Sequence, residues 1–192
     1  MNDYHEPALA IDLDDTCFNY FQGFCDYIQT LGYKIPPNVI MHEFNMETTG
    51  VIPLGSFEYL HRKAVDNGLF QNLKPLPGAV KVLQDLSNRG YEINIVTSRL
   101  WSPSQHDMVL QQTAKALDSS GIPYDNILFL HQKWRFSADT YIDDAPHNII
   151  ALRNANRHVI AYEQAYNQTI PNVEHAKNWN EIDLMLRERY GR

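Results

Sequence analysis

Five short apolar runs, separated by stretches long enough to be helices, restrict this chain more than any other feature. "ALAIDL" (8–13), "YEINIV" (91–96), "NILFL" (126–130), "DTYID" (139–143) and "HVIAY" (158–162) are near-continuous in apolar residues. A strand with one solvated face alternates apolar and polar residues, whereas continuous runs suit parallel strands covered on both faces. Parallel neighbours need crossovers, and helical patterns stand where crossovers are required. "PGAVKVLQDLSNRG" (77–90) has Pro in its first turn, a Gly stop, and Val80, Leu83 and Leu86 on one stripe. "SPSQHDMVLQQTAKALDSSG" (102–121), with a Ser cap, "HNIIALRNAN" (147–156) and "NWNEIDLMLRERYG" (178–191) continue the alternation. The expected fold is α/β, a Rossmann-like parallel sheet flanked by helices.

One stretch breaks the rhythm. Residues 17–76 contain no convincing strand; they hold helical patterns at 19–32 and near 56–67, a Pro36-Pro37 break, and a loop marked by Gly50, Pro53 and Gly55. The expected organisation is a core of 1–17 and 77–192 with a small helical cap, 18–76, inserted after the first strand. A chain of 192 residues has room for one sizeable core and such an accessory. Its formal net charge of −7 disfavours a polynucleotide partner. No apolar run approaches the ~20 residues of a membrane span. The opening MNDYHEP has neither secretory nor transit character, so a cytoplasmic protein is expected. Cys17 and Cys25 are then expected to be reduced, buried residues.

Ligands of parallel sheets bind outside the carboxyl ends of the strands. The first run ends in Asp12-Leu13-Asp14-Asp15-Thr16, the second in Thr97-Ser98 and the fourth in Asp143-Asp144, while Lys133 follows the third. These ends deliver several carboxylates, a hydroxyl and one ammonium to one edge. Clustered carboxylates repel unless a cation joins them, and oxygen-only ligands suit Mg²⁺. A divalent ion, a hydroxyl and a lysine together make a phosphate site. Other phosphate chemistries fail on spacing. Gly50 and Gly55 have the P-loop interval but are followed by Ser56-Phe57 rather than Lys-Ser/Thr. Neither cysteine has an Arg six residues on, and the first strand lacks the Gly-rich turn of a dinucleotide site.

The four motifs, in this order, resemble the haloacid dehalogenase-like superfamily of phosphohydrolases. Asp12-Leu13-Asp14-Asp15-Thr16 matches its Asp-x-Asp-x-Thr/Val motif, "INIVTSR" its strand ending in a hydroxyl at Thr97, Lys133 its lone lysine, and "YIDDAP" its acidic pair. The short helical cap with "TSR", "HQKWRF" and "IDDAPHNI" is similar to the 5′(3′)-deoxyribonucleotidase family. The chain departs from that family's pattern at Asp15, commonly Gly, at Arg99, commonly Pro, and at His131, often Arg.

The resemblance implies a Mg²⁺-dependent phosphomonoesterase. Asp12 would be the nucleophile and form an aspartyl phosphate; Asp14 would be the acid, then the base. Thr97, Ser98 and Lys133 would hold the phosphoryl group. The metal would lie among Asp12, Asp14, Asp143 and Asp144, with Asp144 favoured over Asp143 as the direct ligand. The substrate would be a small phosphate ester, a deoxynucleoside monophosphate above others, with Tyr20, Phe44 and His131 as candidate contacts. Phe57, Tyr59 and Phe70 are further stacking candidates. Another small ester, such as a sugar phosphate, and a non-catalytic phosphate-binding module are the alternatives.

Overall fold

A computed structural model describes residues 6–191; Met1–His5, part of the expected core segment and of the MNDYHEP opening, and Arg192 lie outside the described residues. The strands are β1 (Ala8–Ile11), β2 (Glu92–Thr97), β3 (Asn126–Phe129), β4 (Thr140–Asp143), β5 (Val159–Tyr162) and β6 (Glu174–Ala176). They form one parallel sheet in the order β3-β2-β1-β4-β5-β6. The helices are α1 (Tyr20–Thr30), α2 (Phe57–Asp66), α3 (Leu69–Asn72), α4 (Ala79–Asn88), α5 (His106–Ser120), α6 (Pro146–Asn154) and α7 (Trp179–Tyr190).

Successive strand residues point to opposite faces, which sorts the apolar runs into two cores. Leu9, Ile11, Ile93, Ile95, Ile142 and Ile160 pack with α1–α5 and α7. Ala10, Val96, Tyr141, Val159 and Ala161 pack with Ile149 and Leu152 of α6. Both faces are covered, which accounts for the near-continuous apolar runs. Between β1 and β2 the chain passes through α1–α4 without adding a strand to the sheet, and Phe24, Ile28, Leu60, Val65 and Phe70 of α1–α3 join the first of these cores. Cys17 and Cys25 are buried and not bridged. Among the described residues no helix is long and apolar enough to cross a membrane.

Local chemistry sets the helix starts. The Asn19 side chain accepts from Gln22 N–H to begin α1, and Asn178 accepts from Asn180 and Glu181 N–H to begin α7. Pro146 occupies the first turn of α6. The expected Ser cap of 102–121 is not made: a 3-10 turn over Pro103–Gln105 intervenes, Ser102 engages Ser104, and α5 starts at His106. β6 escaped expectation because its three residues, Glu-His-Ala, form a short edge strand with no apolar run.

Candidate active site

β1 lies at the centre of the sheet, flanked by β2 and β4, where the strand order reverses. The register pairs Ile11 with Ile142, and Asp12 N–H donates to the Ile142 carbonyl at 2.9 Å. The next position in each strand carries an acid, so Asp12 and Asp143 arrive side by side. Lys133, in a 3-10 turn after β3, reaches between them, with Nζ 2.6 Å from Asp12 Oδ1 and 2.6 Å from Asp143 Oδ2. Burial disfavours its ammonium, but the two carboxylates outweigh that and raise its pKa. Burial pushes the Asp12 carboxyl up to about 7; Lys133 pulls against this, while Asp143 and Asp14 add to it.

The acidic pair divides its work. Asp143 Oδ1 accepts from Ala145 N–H (3.0 Å) and Asn148 Nδ2 (3.2 Å), and Oδ2 accepts from Lys133 and Asn148. Three donors therefore engage its two oxygens. Asp144 instead accepts from two hydroxyls, Thr16 Oγ1 at 3.0 Å and Tyr166 OH. Burial, then repulsion by Asp12 and Asp143, pushes its pKa well above the ordinary carboxylate range. Asp12, Asp143 and Asp144 each offer an oxygen within 4.8 Å of the others. This buried, all-oxygen set fits a hard divalent cation such as Mg²⁺, which would relieve the repulsion raising Asp144.

Asp14 is held from another direction. Arg99 forks it, with Nε 2.9 Å from Oδ2 and Nη2 2.7 Å from Oδ1. The remaining Nη1 donates to Thr113 Oγ1 of α5 at 3.1 Å, and the guanidinium lies 4.2 Å from the centre of the Phe70 ring. Thr97 Oγ1 is buried with no partner among the described residues. Such an orphaned hydroxyl, lining the same cavity as Lys133, is suited to an incoming oxyanion. Ser98 Oγ is occupied, donating to the Leu130 carbonyl at 3.0 Å. Asp15 adopts φ 53°, a left-handed turn that explains why glycine commonly stands there, and its carboxylate accepts from Phe21 N–H.

These groups open onto a cavity of about 330 Å³ that also takes in an aromatic cluster: Tyr20, Phe57, His61, Phe70 and Trp101. Arg99 stands between the two parts, on Asp14 and on Phe70. Phe44 lines the cavity from the irregular segment before α2 and packs on His147 and Tyr166, with ring centres 5.4 and 5.2 Å away. The structure brings together Asp12, Asp14, Thr97, Ser98, Lys133, Asp144, Tyr20 and Phe44 around this cavity. His131 is exposed and outside the lining, and Tyr59 is exposed as well. Sequence reasoning overlooked Arg99 as the partner of Asp14, Asn148 and Tyr166 as partners of the acidic pair, and His61. One signal was available for His61. It falls on the buried stripe of α2 with Leu60, Ala64 and Val65, where a polar residue needs a reason.

The fold and this set of strand-end acids, lysine and hydroxyl define a haloacid dehalogenase-like hydrolase. A hydrolase of that family from Streptococcus pneumoniae superimposes with a TM-score of 0.64 at 17% identity, covering 94% of this chain and 98% of that one. A HAD-hydrolase from Bacillus subtilis, solved bound to magnesium, gives 0.60 at 14% identity, covering 95% and 99%. Sequence comparison narrows the class. A Chlorobaculum tepidum protein named "Putative 5'(3')-deoxyribonucleotidase" is 31% identical over 94% of this chain and 90% of its own length. The family model of the 5' nucleotidase, deoxy (pyrimidine), cytosolic type C proteins matches residues 6–190. The chain belongs to that family, and is a phosphoric monoester hydrolase of the haloacid dehalogenase-like nucleotidases.

Proposed function

We propose that the chain is a Mg²⁺-dependent 5′(3′)-deoxyribonucleotidase that hydrolyses deoxynucleoside monophosphates through a phosphorylated Asp12. The observation that carries this reading is a single cavity joining the acidic strand-end site to a cluster of aromatic rings. A phosphate ester of a planar base has both parts. Asp12, fixed by Lys133, attacks phosphorus to form an acyl phosphate, and the alkoxide of the sugar leaves. Asp14 gives that oxygen its proton and then takes one from the water that cleaves the intermediate. Lys133 and Thr97 hold phosphoryl oxygens, with the Ser98 main chain beside them. Asp12, Asp144 and the Asp14 main chain would hold Mg²⁺, with Asp143 in support through Lys133 and Asn148. When bound, the ion supplies charge neutralisation of the phosphate and a fixed in-line geometry.

Segment 18–76 acts as the cap. Through Tyr20, Phe57, His61 and Phe70 it supplies most of the aromatic lining and limits the leaving group to about the size of a nucleoside. Base–aromatic stacking contributes about 1–3 kcal/mol per base. The test compares kcat/KM for deoxyribonucleoside monophosphates, ribonucleoside monophosphates and sugar phosphates with Mg²⁺ and with excess chelator. Deoxynucleotides lead and chelator abolishes turnover. A sugar phosphate preferred by ten-fold or more, or turnover untouched by chelator, overturns the reading.

A further inference from the structure

His61 is an imidazole placed among rings. It is only 4% exposed, and its ring centre lies 4.9 Å from Trp101, 5.6 Å from Phe57, 5.7 Å from Phe70 and 5.8 Å from Tyr20. Nδ1 is paired with Tyr20 OH at 2.6 Å, and Nε2 has no partner among the described residues although His61 lines the cavity. A ring nitrogen left open on a residue of the cavity wall can meet a partner that enters the cavity. Other polar groups near the rings have partners within the protein. Arg99 commits its Nε–H and one N–H of each terminal nitrogen to Asp14 and Thr113, and the Tyr20 hydroxyl is paired with His61 itself.

The tautomer follows from what each choice leaves unpaired. If Nδ1–H donates to Tyr20, the phenol proton and the Nε2 lone pair are both without partners. If Tyr20 donates to Nδ1, only the Nε2–H remains, and it faces a ligand. Burial pushes the His61 pKa down to about 4, so the ring is neutral at neutral pH and carries one N–H.

We propose that His61 reads the nucleobase, its Nε2–H donating a hydrogen bond to a carbonyl oxygen on the base edge while Tyr20 fixes the tautomer. This rests on the deoxynucleotidase reading. It gives the cap a hydrogen-bonding role beside its stacking one. Rings alone accept any flat group, whereas a donor on the cavity wall favours a ligand that can accept from it.

The experiment compares thymidine monophosphate with its difluorotoluene isostere, which keeps the shape of the base but lacks strong acceptors. Each is assayed with Mg²⁺ on the wild type, His61→Phe and Tyr20→Phe, and the readout is the kcat/KM ratio of the two substrates within each protein. The wild type favours the natural base by about ten-fold, the scale of one hydrogen bond made to a ligand. In His61→Phe, which keeps a ring in place, the ratio falls to near one. In Tyr20→Phe the Nε2–H is no longer enforced and the ratio falls part of the way. A purely structural histidine would lower both substrates together and leave the ratio alone. An unchanged ratio in both variants, or no discrimination by the wild type, overturns the assignment while the nucleotidase reading stands. Deoxyribose 5-phosphate, run beside them, separates the two readings. If this base-free ester outperforms thymidine monophosphate on the wild type, the nucleotidase reading falls and the role of His61 falls with it.

Discussion

Asp12 and Asp14 sit two positions apart and have different partners. Asp12 is buried against Lys133, while Asp14 is partly exposed and forked by Arg99. Asp12→Asn keeps the shape of the side chain but cannot form an acyl phosphate. Turnover should vanish while the thermal transition survives, and wild-type rates in that variant would move the nucleophile elsewhere. Asp14→Asn should slow turnover by about 10²–10⁴-fold, the range of a lost general acid. The loss should shrink with a nitrophenyl ester, whose leaving group needs no proton; equal losses with both esters would remove the acid role. Arg99→Met takes away the fork, the Thr113 bond and the stack on Phe70 together. It should lower kcat by about 10–100-fold through misplacement of Asp14, with a smaller change in KM. Arg99→Lys should restore only part, since an ammonium cannot fork a carboxylate. A change confined to KM would assign Arg99 to substrate binding instead.

At the scale of elements, α7 supports the site from outside it. Trp179 is fully buried, and its Nε1–H donates to the Thr16 carbonyl at 2.9 Å, while the Thr16 hydroxyl donates to Asp144. Trp179→Ala should destabilise by about 3–5 kcal/mol from the cavity it leaves. Trp179→Phe keeps most of the packing but leaves a carbonyl unpaired, at a cost of about 1–3 kcal/mol. Denaturant titration checks both, and a Trp179→Phe protein as weak as Trp179→Ala would deny the packing its share. α2 carries a pH dependence through His61, whose pKa falls from 6.5 to about 4 on folding. Between these values the unfolded chain binds a proton that the folded one does not. Stability should therefore drop as pH falls through that window, by up to about 3 kcal/mol. Unfolding of the wild type and His61→Phe at neutral pH and near pH 4.5 tests this. The variant should lose less on acidification, because other groups contribute equally to both; equal losses would contradict a histidine buried in its neutral form.

For the whole molecule, the sheet and the acidic cluster were legible for one reason. Parallel strands buried on both faces write themselves as apolar runs, and their carboxyl ends mark a ligand edge whether or not a family is known. Ile11 and Ile142 are both apolar run residues, so the register that sets Asp12 beside Asp143 was implicit in the sequence. What stayed hidden depends on contacts between distant segments. Arg99 meets Asp14 across 85 positions, and Tyr20 meets His61 across 41. Neither pairing has a local pattern, so Arg99 read only as a departure and His61 as one histidine among eight. β6 was hidden for the opposite reason, since an edge strand of three residues needs almost no apolar sequence. His131 shows the limit of position alone: it lies two residues before Lys133 yet faces solvent. In the proposed reaction Asp12 is phosphorylated by the substrate. The most direct test mixes the Asp14→Asn protein with Mg²⁺ and nitrophenyl phosphate radiolabelled in the phosphate, where the acid is not needed to form the intermediate but the base is needed to clear it. Acid quench at early times should leave label on the peptide that contains Asp12, and hydroxylamine should release it. Product formation with no labelled protein, or label on any other peptide, would rule out Asp12 as the phosphorylated residue.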